Sequence, residues 1–142
     1  MTIHLVKLAV GIDSIDHLAA VQRQRLRDAV TRGERPRLRH VTRTTPRRGE
    51  EILDGGSIYW VIRGAVRARQ RVVGIEPALG RDGVGRCALF LGRKLVSTLP
   101  MSKRAFQGWR YLAPAGAPPD AAVKERALPP KLAAELRELG LL

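Results

Sequence analysis

The 142-residue chain has one cysteine, Cys87, so an internal disulfide and a cysteine-cluster zinc site are both excluded. Cys87 lies in the apolar run Cys87–Leu91 and reads as a core residue rather than a nucleophile. Aromatic residues are scarce, and Tyr59, Trp60, Phe90, Phe106, Trp109 and Tyr111 are the full set. The three histidines, His4, His17 and His40, show no metal-motif spacing, so no metal site is expected, and no cofactor either. No apolar run approaches the ~18–20 residues of a membrane-spanning helix. The first residues lack the basic head and small-residue cleavage site of a signal peptide, so a cytoplasmic location is expected. Walker-type, Gly-x-Ser-x-Gly and paired-carboxylate patterns are missing as well.

Acidic residues are also few: 13 against 26 lysines and arginines, for a net charge of +13. Twenty-one of the cations are arginine, and ten of these fall between Arg23 and Arg48 beside only two acids, Asp28 and Glu34. Abundant Arg, Ala, Gly and Pro fit GC-rich coding, which accounts for Arg over Lys but not for the excess of cations. Such an excess favours a polyanionic partner, because cations that neutralise phosphates release condensed counterions. Hydrophobic residues make up 44% of the chain, enough for one real core.

Residues 3–10 read as a short, largely buried strand. Ser14 is placed to cap a helix whose stripe is Ile15, Leu18, Ala19, Gln22, Leu26, Ala29 and Val30, with Gly33 as its stop. Arg37–Thr44 alternates as a strand, with Leu38, His40 and Thr42 on one face and Arg37, Arg39, Val41 and Arg43 on the other. A short helix over Glu50–Leu53 is closed by Gly55-Gly56, which follow a helix and precede a strand, the reverse of a phosphate loop. Ser57–Ile62 is the strongest strand signal, and Trp60 in its middle reads as core. Past a bulge or corner at Gly64, Ala65–Glu76 continues as strand, followed by strands over Arg86–Leu91, Leu95–Leu99 and Gln107–Leu112. The expected architecture is α+β: a mainly antiparallel sheet or small β-barrel with an N-terminal, a short central and a C-terminal helix. Residues 1–113 form the domain, 114–127 a Pro/Ala-rich linker, and 128–142 a C-terminal helix packed back on the domain.

Two groups of residues point to nucleic acid. Arg67, Arg69 and Arg71 alternate, which predicts three guanidinium groups on one strand face at ~6–7 Å spacing. With Arg39 and Arg43, and with the helix arginines Arg23, Arg25 and Arg27 as further candidates, they suit bidentate contacts to phosphate. The second group is Lys103, Arg104, Phe106, Trp109, Arg110 and Tyr111, where cations alternate with flat rings, the combination that grips unstacked bases. Here Phe106 and Trp109 are equally readable as closing the core. His40, between Arg39 and Arg43, and Tyr111 are the candidates for proton transfer if the protein is an enzyme.

The segments Arg39-His-Val-Thr-Arg, Leu53-Asp-Gly-Gly-Ser-Ile-Tyr-Trp-Val-Ile-Arg-Gly, Arg69-Gln and Phe106-Gln-Gly-Trp-Arg-Tyr-Leu resemble a family of small alphaproteobacterial proteins, domain of unknown function number 1489. That resemblance spans essentially the whole chain and brings no activity with it. The short helix ending in Gly-Gly, the strand leading to Arg63 and the Arg-rich strand also resemble the opening of PUA-like and ASCH domains. Those are small β-barrels that bind RNA or modified bases. The Lys usual at their helix–strand turn is Ser57 here, and a strand–helix unit precedes the block. The expected function is non-catalytic RNA binding, with RNA ahead of DNA because no helix-turn-helix or basic zipper is present. The alternatives are a small nuclease or nucleobase-processing enzyme, and a basic module for an acidic protein partner.

Overall fold

The computed structural model describes residues 1–104 and 106–121. Six strands form one sheet: β1 (His4–Leu8), β2 (Leu38–Thr42), β3 (Ser57–Ile62), β4 (Ala65–Leu79), β5 (Gly85–Ser102) and β6 (Trp109–Leu112). Among the described residues two α-helices accompany them, α1 (Ile15–Thr31) and α2 (Gly49–Leu53). The strand order is β2-β5-β4-β3-β1-β6, with β1 parallel to β3 and every other pair antiparallel.

α1 starts where expected. The Ser14 side chain accepts from the His17 N–H at 3.0 Å, and Asp16 sits in the first turn. It ends with Gly33 at φ +75°, a backbone conformation glycine adopts without steric cost. Leu18, Gln22 and Ala29 face the sheet, whereas Val30, expected on the stripe, is exposed. Between α2 and β3, Gly55 takes φ +93°, and Gly56 has backbone carbonyls where a Cβ would lie. β3 is buried along its whole length because β4 and β1 flank it and both faces are covered.

One face, turned toward α1, carries Leu5, Leu38, Ile58, Trp60, Ile62, Val72, Cys87, Leu89 and Leu91, the main core. The opposite face has a smaller cluster of Val6, Tyr59, Val61, Val66 and Leu112, against which Phe106 and Ala117 pack. Cys87 and Trp60 are core residues, as read.

Four expectations need correction. The sheet is open and forms no PUA-like barrel: β2 and β6 are its edges, with no ladder between them. Side chains occupy the interval instead, and among the bonds across it is one from the Trp109 indole Nε1 to the Thr44 carbonyl, 2.9 Å. Secondly, the corner at Gly64 is a tight hairpin turn, with Arg63 at φ +50° and Gly64 at φ +76°. Thirdly, the two strands expected at 86–91 and 95–99 are one long strand, β5, whose pairing with β4 slips around residues 92–94. Finally, a bulge puts Val66 opposite Val61 while Ala68 stays opposite Trp60, so the Arg67–Arg69–Arg71 alternation is broken at Arg67.

The start of the stretch expected as a linker is folded against the sheet. Pro114–Gly116 is one 3-10 turn, Pro118 is buried, and the Leu99 N–H donates to the Pro119 carbonyl at 2.9 Å. The remainder of that stretch and the expected C-terminal helix, 122–142, lie outside the described residues. Among the described residues no helix is long and apolar enough to cross a membrane.

Candidate functional site

The sequence-predicted residues separate onto two sides of the sheet. Arg69, Arg71 and Arg110 share the face opposite α1, because Arg69 pairs with Tyr59, Arg71 with Ser57 and Arg110 with Val6. Arg69 is occupied: its Nε and one terminal nitrogen hold both Asp120 oxygens at 2.7 and 2.8 Å, and the other reaches Ser57 Oγ at 3.3 Å. The Arg69 guanidinium accordingly holds the Asp120 carboxyl below its ordinary value. Arg67 Nε donates to the Ile62 carbonyl at 2.7 Å, and Arg110 lies over the Phe106 ring at 5.2 Å. Lys103 and Arg104 follow the end of β5, with the Lys103 N–H on the Gly64 carbonyl. The expected comb of three guanidinium groups therefore reduces to Arg71 as its exposed member.

The aromatic pair is also engaged within the chain. Trp109 and Tyr111 sit edge to face at 4.9 Å. Tyr111 Oη accepts from the Arg48 N–H at 3.1 Å, and the Arg48 guanidinium lies over its ring at 5.6 Å. These contacts tie the β2–α2 connection to β6. Trp109 still lines a cleft; Tyr111 is absent from the walls of the cavities near His40.

Those cavities lie in the interval between β1 and β2, under α1. The central one, of about 230 Å³, is walled by apolar residues such as Leu8, Leu18, Leu38 and Leu91, with Gln22, His40 and Trp60. Three cations, Lys7, Arg25 and Arg39, stand around it, and no carboxylate is among its lining residues. Lys7 is shared with a cleft of about 600 Å³ that runs past Arg43 and Thr44 to Gly108 and Trp109. Arg25 and Arg39 are shared with a groove of about 510 Å³ that holds Arg32, Arg35, Arg37, Glu34 and Glu76. Through these shared residues the three concavities adjoin as a trough beside β2, with six arginines and one lysine against two glutamates. Arg32 pairs with Glu34, and Arg37 stacks on Phe90 at 4.2 Å. Among the described residues, Lys7, Arg25, Arg39 and Arg43 make no ion pair.

His40 is the chemically distinctive group. His4 Nδ1 accepts from the Ser57 N–H at 3.0 Å, and His17 Nδ1 accepts from the Asp13 N–H at 3.1 Å. His40 Nε2 is buried with no partner, and its ring meets Trp60 edge to face at 5.2 Å. Burial, then the charges of Lys7 and Arg25, push its pKa down to about 4, so it is neutral at pH 7. Burial also lowers the Lys7 ammonium. Behind His40, Gln70 fixes Trp60: its Oε1 accepts from Trp60 Nε1 at 3.2 Å and from Gln22 Nε2 at 2.8 Å. Gln70 Nε2 donates to Gln22 Oε1 at 2.9 Å and to the Gly92 carbonyl at 2.8 Å. Every hydrogen-bonding position of the Gln70 amide is used.

Lys7 was missed in the sequence although its signal is there: it is the one charge in an apolar strand, in alternation with Ile3 and Leu5. Among the described residues no group of three or more His, Cys, Asp or Glu side chains could hold a metal ion.

The chain matches the family described as protein of unknown function (DUF1489) over residues 5–142, and so belongs to it. No curated protein matches the chain. No solved structure matches it either.

Proposed function

We propose that this member of the family binds RNA without acting on it chemically, laying a single-stranded or unpaired segment along the trough beside β2. The observation that carries the reading is the central cavity: three cations and no carboxylate line it, and those cations make no ion pair among the described residues. Cations gathered round one cavity without carboxylates favour an anion there, and phosphate would fill that role while releasing counterions. Arg39, Arg43 and the helix residue Arg25 keep the role the sequence suggested, and Lys7 joins them. A cavity of about 230 Å³ is too small for a duplex, which favours unpaired nucleotides.

The test is fluorescence anisotropy of a labelled single-stranded RNA over a range of salt concentrations. Four phosphate contacts predict a slope of log K against log salt of about −3, at ~0.7 per contact. Arg39→Ala/Arg43→Ala should bring the slope to about −1.5, while Asp120→Asn, on the other face, leaves it alone. A wild-type slope near zero sinks the reading. Equal affinity for single-stranded DNA would remove the preference for RNA.

One observation favours a second reading, a nuclease or nucleobase-processing enzyme: the neutral, partnerless imidazole of His40 beside Lys7. It predicts that His40→Ala abolishes turnover of an RNA pool and leaves affinity nearly intact. An RNA pool that comes back unchanged from the wild-type protein ends that reading.

A further inference from the structure

We infer that the central cavity is a pocket for one nucleotide, an anionic group attached to a flat heterocycle whose edge is read by Gln22 and His40. This rests on the RNA reading for its biological setting, but it concerns a different property, recognition of a single unit.

The walls divide by chemistry. Lys7, Arg25 and Arg39 supply positive charge, while Leu18, Leu38, Trp60 and Leu91 are apolar or aromatic. Such a combination suits a planar ring with a charged substituent, and a bare phosphate would leave the apolar walls unused. Two polar side chains of this lining then have hydrogen-bonding capacity to spare. Gln22 is 7% exposed and spends one N–H and one lone pair on Gln70, which leaves its second N–H and second lone pair. His40 is neutral, so one ring nitrogen donates and the other accepts, and its buried Nε2 has no partner. A buried polar atom left unpaired is costly, and a ligand that satisfies it gains selectivity from that cost. An amide and an imidazole with both donor and acceptor capacity match the edge of a nucleobase. Trp60 cannot turn to follow the ligand because Gln70 holds its indole N–H, so the pocket is preformed on that side.

The same chemistry serves a free nucleotide and a nucleotide within RNA, and the experiment separates them. Isothermal titration of the unmodified chain would use the four common 5′-mononucleotides, the matching nucleosides and inorganic phosphate. Trp60 fluorescence in Trp109→Phe gives a second readout, since these are the chain's two tryptophans. The expected result is saturable binding of mononucleotides with a preference for one base, about tenfold weaker for its nucleoside. Arg39→Gln should weaken the mononucleotide about tenfold and leave the nucleoside unchanged. His40→Asn should erase the base preference and keep the phosphate contribution. Phosphate that competes as well as any nucleotide would overturn the inference, leaving a plain anion site. So would base preference that survives in His40→Asn. Absence of mononucleotide binding alongside retained, salt-dependent RNA binding would overturn the pocket and leave the trough standing. Nucleotide binding without RNA binding would support the pocket and identify its ligand as the free nucleotide.

Discussion

Replacing Gln70 by Leu tests whether the amide network behind the cavity stabilises the fold as its geometry implies. Gln70 is fully buried and makes four hydrogen bonds: two with Gln22, one from the Trp60 indole and one to the Gly92 carbonyl. Leu has nearly the same volume, so no cavity is added and the loss is polar. Gln22 borders the cavity and can turn to water there, so its orphaned atoms cost little. The Trp60 N–H, in a residue 3% exposed, has no such recourse, and a buried group left unpaired costs about 1–3 kcal/mol. The half-buried Gly92 carbonyl loses one hydrogen bond, about 0.5–1.5 kcal/mol. Leu recovers about 1–2 kcal/mol through apolar burial. The net expectation is a loss of about 1–3 kcal/mol, a sizeable share of the ~5–15 kcal/mol of a typical domain. Urea unfolding followed by tryptophan fluorescence would read it as a lower midpoint at unchanged slope. Gln22→Leu/Gln70→Leu removes the partner that Gln70→Leu strands, so the double variant should be more stable than the sum of the single losses. A Gln70→Leu midpoint within about 0.5 kcal/mol of wild type would refute the reasoning, because the network would then contribute nothing net.

Acid should act on His40 before it acts on most carboxylates. Its pKa falls from 6.5 in the unfolded chain to about 4 in the folded one, so between these values the unfolded state binds the proton. Stability therefore rises with pH from about 4 to 6.5 and is lost as pH falls through that window, by roughly 3 kcal/mol. In His40→Asn most of the slope should vanish, with a smaller remainder from His4, whose pKa is also lowered by burial and by Arg69. Unfolding midpoints between pH 7 and 4 that fall equally in both proteins would count against it. At the α2–β3 turn, Gly56→Ala would drive a Cβ into the Ile3 and Ile52 carbonyls, both backbone and unable to step aside. A loss above ~3 kcal/mol is expected, whereas Gly55→Ala, with only ordinary contact to the Thr2 side chain but φ +93°, should cost about 1–2 kcal/mol. Thermal melts that rank the two variants the other way would show that backbone conformation, not space, limits this turn.

The sequence revealed elements whose cause is local and was silent about encounters set by the sheet. Ser14, Gly33 and Gly55-Gly56 mark helix ends by cap and turn chemistry confined to a few residues, and α1 and α2 form within those marks. The alternation of Leu38, His40 and Thr42 likewise gave the inward face of β2. A bulge leaves no local trace of that kind. Nothing in Ala65-Val-Arg-Ala-Arg says that Val66 will cross to the face of Arg69, because pairing with β3 decides it. Nor could the alternation show that Arg69 would be taken by Asp120, 51 residues away. The trough depends on a longer-range event still, the slip of β4 against β5 around residues 92–94, after which β2 pairs only with Cys87–Leu91. The β1–β2 interval left beside the sheet is where Lys7, Arg25, Arg39 and His40 meet. They come from three separate elements, and although the sequence offered Arg25, Arg39 and His40 as candidates one by one, nothing local brings them together with Lys7. Alternation along single strands was a poor guide to which cations stay free of partners within the protein. The arginines that alternate most visibly, at 67 and 69, bond to the protein itself, while Lys7, which no pattern singled out, and Arg25, a lesser candidate on the helix, line the cavity.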